Sequence, residues 1–327
     1  MKVAVIFTQK TGINMKVTDK HLEMVRSAVP GAEVLLAEDP GELISRGFDA
    51  DILICWGTGG GHCIVEPYCN YAKNLKWIHA VSAGVEGITQ SSIASISGLH
   101  LTNAKGIHGI PISENVVSYI VAHYRGLRRI LENQQNHRWQ RFVPEEAYGK
   151  TVAILGIGAI GKEIAKRCKA FEMHVIGVKR TMSEVPYCDE VLTADMMDEA
   201  LGRADVVVMV MPSTAETYKI LDGEKFSKMK KGAIFVNVGR GQTVDTDALV
   251  SALRSGQLSG AMLDAIDPEP LNDDSPLWDM DNVLISPHMS AETPLYMDRA
   301  FEVFQKRAAE FLAGKPIKDE INLKTGY

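Results

Sequence analysis

The sequence predicts an α/β protein with two Rossmann- or flavodoxin-like domains: a discontinuous substrate domain and an inserted, doubly wound dinucleotide-binding domain. Three observations support this prediction. The chain has 327 residues, and a chain of this length usually folds into more than one domain, each with its own hydrophobic core. Short apolar segments alternate with helical patterns, as in parallel sheets that are covered by helices. A glycine-rich turn begins only at Gly156, so a separate domain precedes the nucleotide-binding fold.

The first hundred residues contain four candidate strands and one candidate helix. The helix is predicted over residues 19–29, where Leu22 and Val25 recur at helical spacing. The strands are the apolar runs KVAVIF (2–7), EVLLAE (33–38), DILICW (51–56) and WIHAVS (77–82). We therefore expect a parallel sheet with helices on both faces.

A long helix is predicted from residue 113 to residue 139, because Pro111 and Ser113 supply start signals and the segment turns polar toward its end. Beyond it, seven segments rich in Val, Ile and Leu are typical of strands buried on both faces. These segments are TVAIL (151–155), HVIGV (174–178), EVLTA (190–194), DVVVMVMP (205–212), AIFVNV (233–238), GAMLDA (260–265) and NVLISP (282–287).

The C-terminal segment 293–316 is predicted to be an amphipathic helix that ends at a Gly-Lys-Pro sequence. We expect this helix to return to the first domain. The predicted substrate domain therefore comprises residues 1–104 and 290–327, and the dinucleotide-binding domain comprises residues 105–289.

Composition excludes several classes of protein. Apolar residues make up 46% of the chain and charged residues 23%, which is ordinary for a globular protein. The net charge of −6 argues against a nucleic-acid partner. No apolar run is long enough for a signal peptide or a membrane span. Five cysteines without a CxxC pair are typical of reduced thiols, so we expect a cytoplasmic protein. Cys55, His62 and Cys63 are close in sequence, but without paired short spacings we expect no metal site.

The turn Gly156-x-Gly158-x-x-Gly161 follows an apolar strand and begins a helical segment. The first glycine permits a tight turn, the second lets the backbone approach a pyrophosphate, and the third lets helix pack on strand. We expect backbone amides at the start of the helix, including those of Ala159 and Ile160, to bind the pyrophosphate. This context predicts a dinucleotide site.

The strand HVIGV ends in Lys179, Arg180 and Thr181, where NAD-binding sites usually carry an acidic residue that binds the ribose hydroxyls. Two cations and a hydroxyl group suit a phosphate dianion, so we predict that NADP(H) is preferred and that NAD(H) is possible. The alternative is a solvated basic turn, with NAD bound without a carboxylate.

Polar residues follow three further predicted strands, in the stretches NVGRGQTVD, MLDAIDPEP and ISPHMSAET. Ligands of a doubly wound sheet bind beyond the carboxyl ends of its strands. Arg240, Asp264, Glu269 and His288 are therefore predicted to converge on one site.

The chain closely resembles the D-isomer-specific 2-hydroxyacid dehydrogenases. The resemblance covers nearly the whole chain and rests on KWIHAVSAGVEGI, GKTVAILGIGAIGKEIAKR, ADVVVMVMPSTAETYKI, MKKGAIFVNVGRGQTVDTDAL, MLDAIDPEPL and NVLISPHMSAETP, in the family's order. The C-terminal sequence RAAEFLAGKPIKDEINLKTGY is similar to a glyoxylate/hydroxypyruvate-reductase-like branch that often uses NADPH.

The resemblance implies a role for each catalytic residue. Arg240 matches the arginine that holds the substrate carboxylate and 2-oxo group, His288 the acid/base histidine, and Glu269 the carboxylate that orients this histidine. Asp267 is the substitute if Glu269 is the wrong member of the pair. Asp264 matches a residue near the nicotinamide carboxamide.

Further contacts follow from the same resemblance. Cofactor contacts are implied for Met211, Pro212, Thr217 and Val238. Backbone amides of the SAGV loop, especially those of Ala83 and Gly84, are expected to bind the substrate carboxylate, together with Arg240 and His288.

The sequence thus predicts an NAD(P)-dependent D-2-hydroxyacid dehydrogenase that reduces small 2-oxo acids, with NADP(H) preferred. The physiological acid and the direction of flux stay open. The alternative is a cofactor-sensing binding protein on the same fold that lacks useful turnover. Relatives commonly pair through the cofactor domain, so a homodimer is expected.

Overall fold

The computed structural model describes residues 1–7, 16–57 and 63–323, so His62 lies outside the described residues. The chain divides into two compact units. Unit 1 comprises Met1–His108 and Thr293–Tyr327, and unit 2 comprises Gly109–Glu292. Each unit contains one parallel β-sheet, which confirms the predicted α/β class with two sheets, one of them in a discontinuous unit.

Unit 1 contains a five-stranded parallel sheet in the flavodoxin-like order β2-β1-β3-β4-β5. Its strands are β1 (Lys2–Ile6), β2 (Glu33–Ala37), β3 (Ile52–Cys55), β4 (Trp77–Ala80) and β5 (His100–Asn103). The first four coincide with predicted strands. Strand β5 was missed because the sequence HLTN has only one aliphatic residue and no alternation that would mark it.

Alternation along the strands of unit 1 sends side chains into two hydrophobic clusters, one on each face of the sheet. Along β1, Val3 and Val5 belong to one cluster, whereas Ala4 and Ile6 belong to the other. The helices of this part of the chain are α1 (Asp19–Ala28), α2 (Pro40–Ser45), α3 (Glu66–Tyr71) and α4 (Glu86–Thr89). The predicted helix over residues 19–29 is α1.

Unit 2 contains seven parallel strands, and all seven were predicted. They are β6 (Thr151–Leu155), β7 (His174–Lys179), β8 (Glu190–Thr193), β9 (Val206–Met209), β10 (Ala233–Asn237), β11 (Leu258–Leu263) and β12 (Val283–Ile285). Their order is β12-β11-β10-β9-β6-β7-β8. The strand order reverses between β6 and β9, and such a switch point is where open α/β sheets bind ligands.

The long helix predicted from residue 113 to residue 139 is not continuous in the structure. The segment forms two helices with a break at Gly126, whose φ of +64° is left-handed. A Cβ atom at Gly126 would also lie 2.6 Å from the Phe142 ring. The helices of the unit are α5 (Gly109–Tyr124), α6 (Leu127–Gln135), α7 (Ala159–Ala170), α8 (Met197–Arg203), α9 (Gly223–Lys228) and α10 (Thr246–Arg254).

The last helix, α11 (Tyr296–Leu312), lies in unit 1. Its Phe304 ring stacks on Trp77 of β4 at a centroid distance of 5.1 Å, and both side chains are fully buried. Its apolar face shares a hydrophobic cluster with Val25 of α1. The C-terminal part of the chain therefore completes the core that the N-terminal part begins.

Short 3₁₀ turns complete the described secondary structure, at Ser92–Ser95, Ala194–Met196, Gly241–Thr243 and Pro276–Asp279. Within residues 1–7, 16–57 and 63–323, no helix combines the length and the apolar character needed to cross a bilayer. The same residues contain no group of three or more His, Cys, Asp or Glu side chains arranged to hold a metal ion.

Candidate active site

The predicted phosphate turn joins β6 to α7, and its three glycines have different surroundings. Gly156 has a φ of +102°, and a Cβ atom there would lie 3.0 Å from the backbone nitrogen of Met211. A Cβ atom at Gly161 would lie 2.6 Å from the Gly156 carbonyl oxygen, so this glycine lets α7 pack against the turn. At Gly158 a Cβ atom would meet nothing within 4 Å. Open space at Gly158 is what a bound pyrophosphate requires.

The N-terminus of α7 adds hydrogen-bond donors to this turn. Ala159 and Ile160 occupy its first turn, where helix geometry leaves backbone N–H groups without an intrahelical acceptor. The helix dipole favours an anion at the same place. The residues present therefore fit the pyrophosphate of a dinucleotide.

The predicted 2′-phosphate residues lie at and just beyond the end of β7. Lys179 is the last residue of the strand, and its Nζ donates to Ser183 Oγ at 2.6 Å. The Arg180 guanidinium lies 4.0 Å from a carboxylate oxygen of Glu216, and both side chains are more than four-fifths exposed. Thr181 is also exposed. Sequence reasoning missed Ser183, which the short spacing to Lys179 could have indicated.

The remaining predicted cofactor residues follow β9 and β10. Met211 is half-buried and Pro212 exposed. The Thr217 hydroxyl donates to the Pro212 carbonyl at 2.7 Å, and this hydrogen bond closes the turn between Pro212 and Thr217. Val238 is buried in the core of unit 2. Contact of these residues with a cofactor stays a prediction.

Arg240 is positioned by its two neighbouring glycines. A Cβ atom at Gly239 would lie 2.8 Å from the Met211 carbonyl oxygen, and one at Gly241 would lie 2.0 Å from Ile266 backbone atoms. The loop after β10 thus packs directly on the loops after β9 and β11. Arg240 is half-buried, and its Nη1 donates to the Gly239 carbonyl at 2.9 Å.

Glu269 lies in the loop after β11 and is the carboxylate that contacts His288. One of its oxygens accepts from the Ile266 amide at 3.0 Å, and the other lies 2.9 Å from His288 Nδ1. Burial raises the pKa of Glu269, but hydrogen bonds from His288 and Ile266 lower it more, and the net pKa lies below its ordinary value. Of the two candidates, Glu269 and not Asp267 makes the contact.

His288 follows β12 and has a φ of +53°. Its hydrogen bond to Glu269 raises its pKa above the ordinary value, against burial and the charge of Arg240, which lower it. The charge of Arg240 acts on Glu269 as well, so the three side chains form one electrostatic group. Because Nδ1 is engaged by Glu269, Nε2 is the ring nitrogen available to a substrate.

Asp264 has partners that the sequence did not suggest. Its buried carboxylate accepts hydrogen bonds from the Ser286 hydroxyl at 2.6 Å, from the Met289 amide at 2.9 Å, and from both the amide and the hydroxyl of Ser290. These donors flank His288 on both sides. Asp264 therefore fixes the loop that carries His288, and its predicted contact with a cofactor stays a prediction. Ser286 and Ser290 were missed, although they stand beside the histidine in ISPHMS.

Arg240, Asp264, Glu269 and His288 are thus brought together at the carboxyl ends of β10, β11 and β12. Ala83 and Gly84 lie in unit 1, in the loop after β4. Ala83 is exposed and Gly84 is half-buried.

Comparisons with known proteins identify the family of the chain. Residues 117–290 match the family model described as "D-isomer specific 2-hydroxyacid dehydrogenase, NAD binding domain". The chain belongs to the D-isomer-specific 2-hydroxyacid dehydrogenase family. The resemblance inferred from the sequence is confirmed, and the protein is an oxidoreductase of a family that uses a nicotinamide cofactor.

Three relatives illustrate the range of this family. Glyoxylate reductase of Thermococcus onnurineus is 31% identical over 300 residues, which cover 87% of each chain. D-3-phosphoglycerate dehydrogenase of Archaeoglobus fulgidus is 32% identical over 77% of this chain, but the match spans only 48% of that relative. The crystal structure of NADPH-dependent glyoxylate/hydroxypyruvate reductase from Sinorhizobium meliloti, in complex with NADP and sulfate, has a TM-score of 0.81 at 27% identity and covers 100% of this chain and 99% of its own.

Replacing Glu269 by Gln tests the electrostatic group. The variant keeps the shape of the side chain but removes its charge, so we expect the pKa of His288 to fall. The pKa is measured by NMR titration of the imidazole proton. Asp267→Asn is the matched control, because Asp267 stands two residues away and does not make the contact. An unchanged His288 pKa in Glu269→Gln, or a larger fall in the control, would contradict the assignment.

Proposed function

We propose that this protein is an NADPH-dependent reductase that converts small 2-oxo acids into D-2-hydroxy acids. The observation that carries the proposal is the hydrogen-bonded pair of His288 and Glu269 beside Arg240, at the carboxyl ends of a dinucleotide-binding sheet. A reductase of 2-oxo acids needs a cation for the carboxylate and a proton donor for the carbonyl oxygen, and this group supplies both.

Arg240 binds the substrate in this proposal. A guanidinium offers paired N–H donors in one plane, which suits the planar carboxylate and 2-oxo oxygens of the substrate. The packing of Gly239 and Gly241 against neighbouring backbone restricts where the Arg240 side chain begins. The hydrogen bond from Nη1 to the Gly239 carbonyl adds a restraint on the guanidinium itself. The amides of Ala83 and Gly84 are proposed to bind the same carboxylate.

His288 transfers the proton. Its raised pKa favours the imidazolium form, in which Nε2 carries a proton to donate to the carbonyl oxygen. NADPH, when bound at the glycine turn of residues 156–161, would supply the hydride that the carbonyl carbon accepts. The π bond of the carbonyl is lost as one C–H and one O–H bond form, the C–O single bond remains, and His288 is left neutral, to be protonated again from solvent. In the oxidation direction, neutral His288 removes the hydroxyl proton.

Glu269 assists in both directions. Its carboxylate holds Nδ1 at 2.9 Å and so leaves Nε2 of His288 for the substrate. Its lowered pKa keeps it ionised while the neighbouring imidazole gains and loses a proton. Of these two side chains, only His288 therefore changes its charge during turnover.

The preference for NADPH is proposed from Lys179, Arg180 and Thr181. In the described chain the charge of Lys179 lies near Ser183, and Arg180 is paired only at 4.0 Å with an exposed carboxylate. An exposed pair of this kind contributes little energy, so Arg180 can exchange it for a phosphate at small cost. A relative of this size is named NADPH-dependent and was crystallised with NADP.

The expected homodimer stays a prediction.

The alternative to a reductase is a cofactor sensor without turnover, and no described contact favours a sensor over an enzyme.

Replacing His288 by Ala should lower kcat by roughly 10²–10⁴-fold, the usual range for a lost general acid. The rate is measured as NADPH consumption with a panel of glyoxylate, hydroxypyruvate, pyruvate and longer 2-oxo acids. His174→Ala is the matched control, because His174 also pairs with a glutamate, Glu190 at 2.8 Å, but lies at the opposite end of its strand from the site. Tight NADPH binding without turnover of any acid by the wild type would instead favour the sensor.

The double replacement Lys179→Asp and Arg180→Ala should reduce the ratio of kcat/KM with NADPH to kcat/KM with NADH by about tenfold or more. It removes two charge-assisted hydrogen bonds to the 2′-phosphate and adds a repelling carboxylate. Lys166→Asp, an exposed charge reversal on α7, is the control. If the double variant keeps the wild-type ratio, the basic strand end does not select the cofactor.

A further inference from the structure

The loop after β4 is held through its carbonyl groups. The Ala83 carbonyl accepts a hydrogen bond from the Asn103 side-chain amide, at the end of β5. The Gly84 carbonyl accepts from the Ser82 hydroxyl at 2.7 Å, and the same hydroxyl accepts from the Gly57 amide at 3.0 Å. Residues 82–84 of this loop are therefore held by hydrogen bonds with Gly57 and Asn103 and by one within the loop itself.

The amide groups of the same loop are in a different situation. Within the described parts of the chain, the N–H groups of Ala83 and Gly84 donate to no protein acceptor. In a planar trans peptide the C=O and N–H bonds point in opposite directions. By holding the Ala83 carbonyl, Asn103 therefore sets the direction of the Gly84 N–H. Two adjacent oriented amides without acceptors are suited to an anion.

The base of the loop is fixed by a second side chain. The Tyr296 hydroxyl lies 3.1 Å from the Val81 carbonyl oxygen and 2.9 Å from His108 Nε2. Because the carbonyl can only accept, the single hydroxyl proton is donated to Val81, and His108 Nε2 must donate to Tyr296. The Trp56 ring stacks on Tyr296 at 5.7 Å, and the tyrosine is buried.

We propose that Asn103 and Tyr296 are positioning residues that hold residues 81–84 in the conformation that binds the substrate carboxylate. The inference rests on the proposed function, since it assigns that carboxylate to the amides of Ala83 and Gly84. Asn103 acts directly on the peptide that carries the Gly84 N–H. Tyr296 acts one step earlier, at Val81. Both side chains act through this loop.

A purely structural role of Asn103 would give a different result from a positioning role. Its Oδ1 is buried and has no hydrogen-bond partner among the described residues. Asn103→Leu therefore removes one hydrogen bond together with one unpaired buried acceptor, and these effects on stability oppose each other. We expect little change in the denaturant midpoint but a marked change in substrate binding.

The experiment compares Asn103→Leu with the wild type, using glyoxylate and NADPH. We expect KM for glyoxylate to rise about three- to thirtyfold, since a misdirected amide loses a hydrogen bond to a charged group. The kcat value and NADPH affinity should change less than about threefold, because Arg240, His288 and the phosphate turn are untouched. Tyr296→Phe should raise KM in the same direction by a smaller factor.

The matched control is Asn136→Leu. The Asn136 side-chain amide also donates to a backbone carbonyl, that of Glu132 at 2.8 Å, but on the exposed end of α6. Its KM should equal that of the wild type. In Asn103→Asp a carboxylate oxygen would face the Ala83 carbonyl, so KM should rise further than in Asn103→Leu.

Oxalate binding to the NADPH-saturated proteins, measured by calorimetry, separates this inference from the proposed function. Oxalate affinity should fall in Asn103→Leu by the factor by which KM rises. Wild-type turnover with unchanged KM and oxalate affinity in Asn103→Leu would overturn the inference and leave the proposed function standing. Oxalate binding that weakens in the variant, without turnover by the wild type, would support the inference and reject the function. No oxalate binding by the wild type would overturn the inference.

Discussion

The contact between two backbone loops determines the site in unit 2. Gly241 lies so close to Ile266 and Asp267 that a Cβ atom would meet backbone atoms at 2.0 Å. No other residue type fits without moving one of the loops. This contact brings the loop that carries Arg240 against the loop that carries Glu269. The rest of the site depends on this close contact between the two loops, because the Ile266 amide in turn holds Glu269.

The ionisation of His288 and that of Glu269 affect the stability of the fold in opposite directions of pH. The folded-state pKa of His288 is raised, so its ionisation stabilises the fold fully below the unfolded pKa, and this contribution is lost as pH rises through the folded pKa. The folded-state pKa of Glu269 is lowered, so its contribution is present above the unfolded pKa and is lost as pH falls through the folded pKa. The pair therefore favours the fold in the window between these two transitions. Both side chains are partly exposed, so solvent screening keeps the effect small.

The fold, and the placement of Arg240, Glu269 and His288 at the carboxyl ends of neighbouring strands, were largely accessible from sequence because they depend on local patterns. Buried parallel strands need runs of apolar residues, and the phosphate turn needs glycines at fixed spacing. Strand β5 and the break at Gly126 were missed for physical reasons. HLTN is stabilised by pairing with the adjacent strand β4 and not by its own pattern, and Gly126 breaks the helix where the Phe142 ring leaves no room for a side chain.

The residues that hold the loops could not be found in the same way. Asp264 accepts from Ser286, Met289 and Ser290, and Asn103 donates to Ala83, so each contact joins segments that are distant in sequence. Such hydrogen bonds exist only once the sheets have formed. The two units use the same device: a polar side chain at or just after the end of one strand fixes a loop that follows a neighbouring strand.

The central claim is that a protonated His288 beside Arg240 recognises the oxygen atoms of a 2-oxo acid. Calorimetric titration of the NADPH-saturated protein with oxamate, an unreactive analogue, tests it over the pH range in which the protein stays folded. Affinity is expected to fall as pH rises through the pKa of His288, with about one proton taken up per oxamate bound above that pKa. Affinity that is independent of pH, without proton uptake, would contradict it.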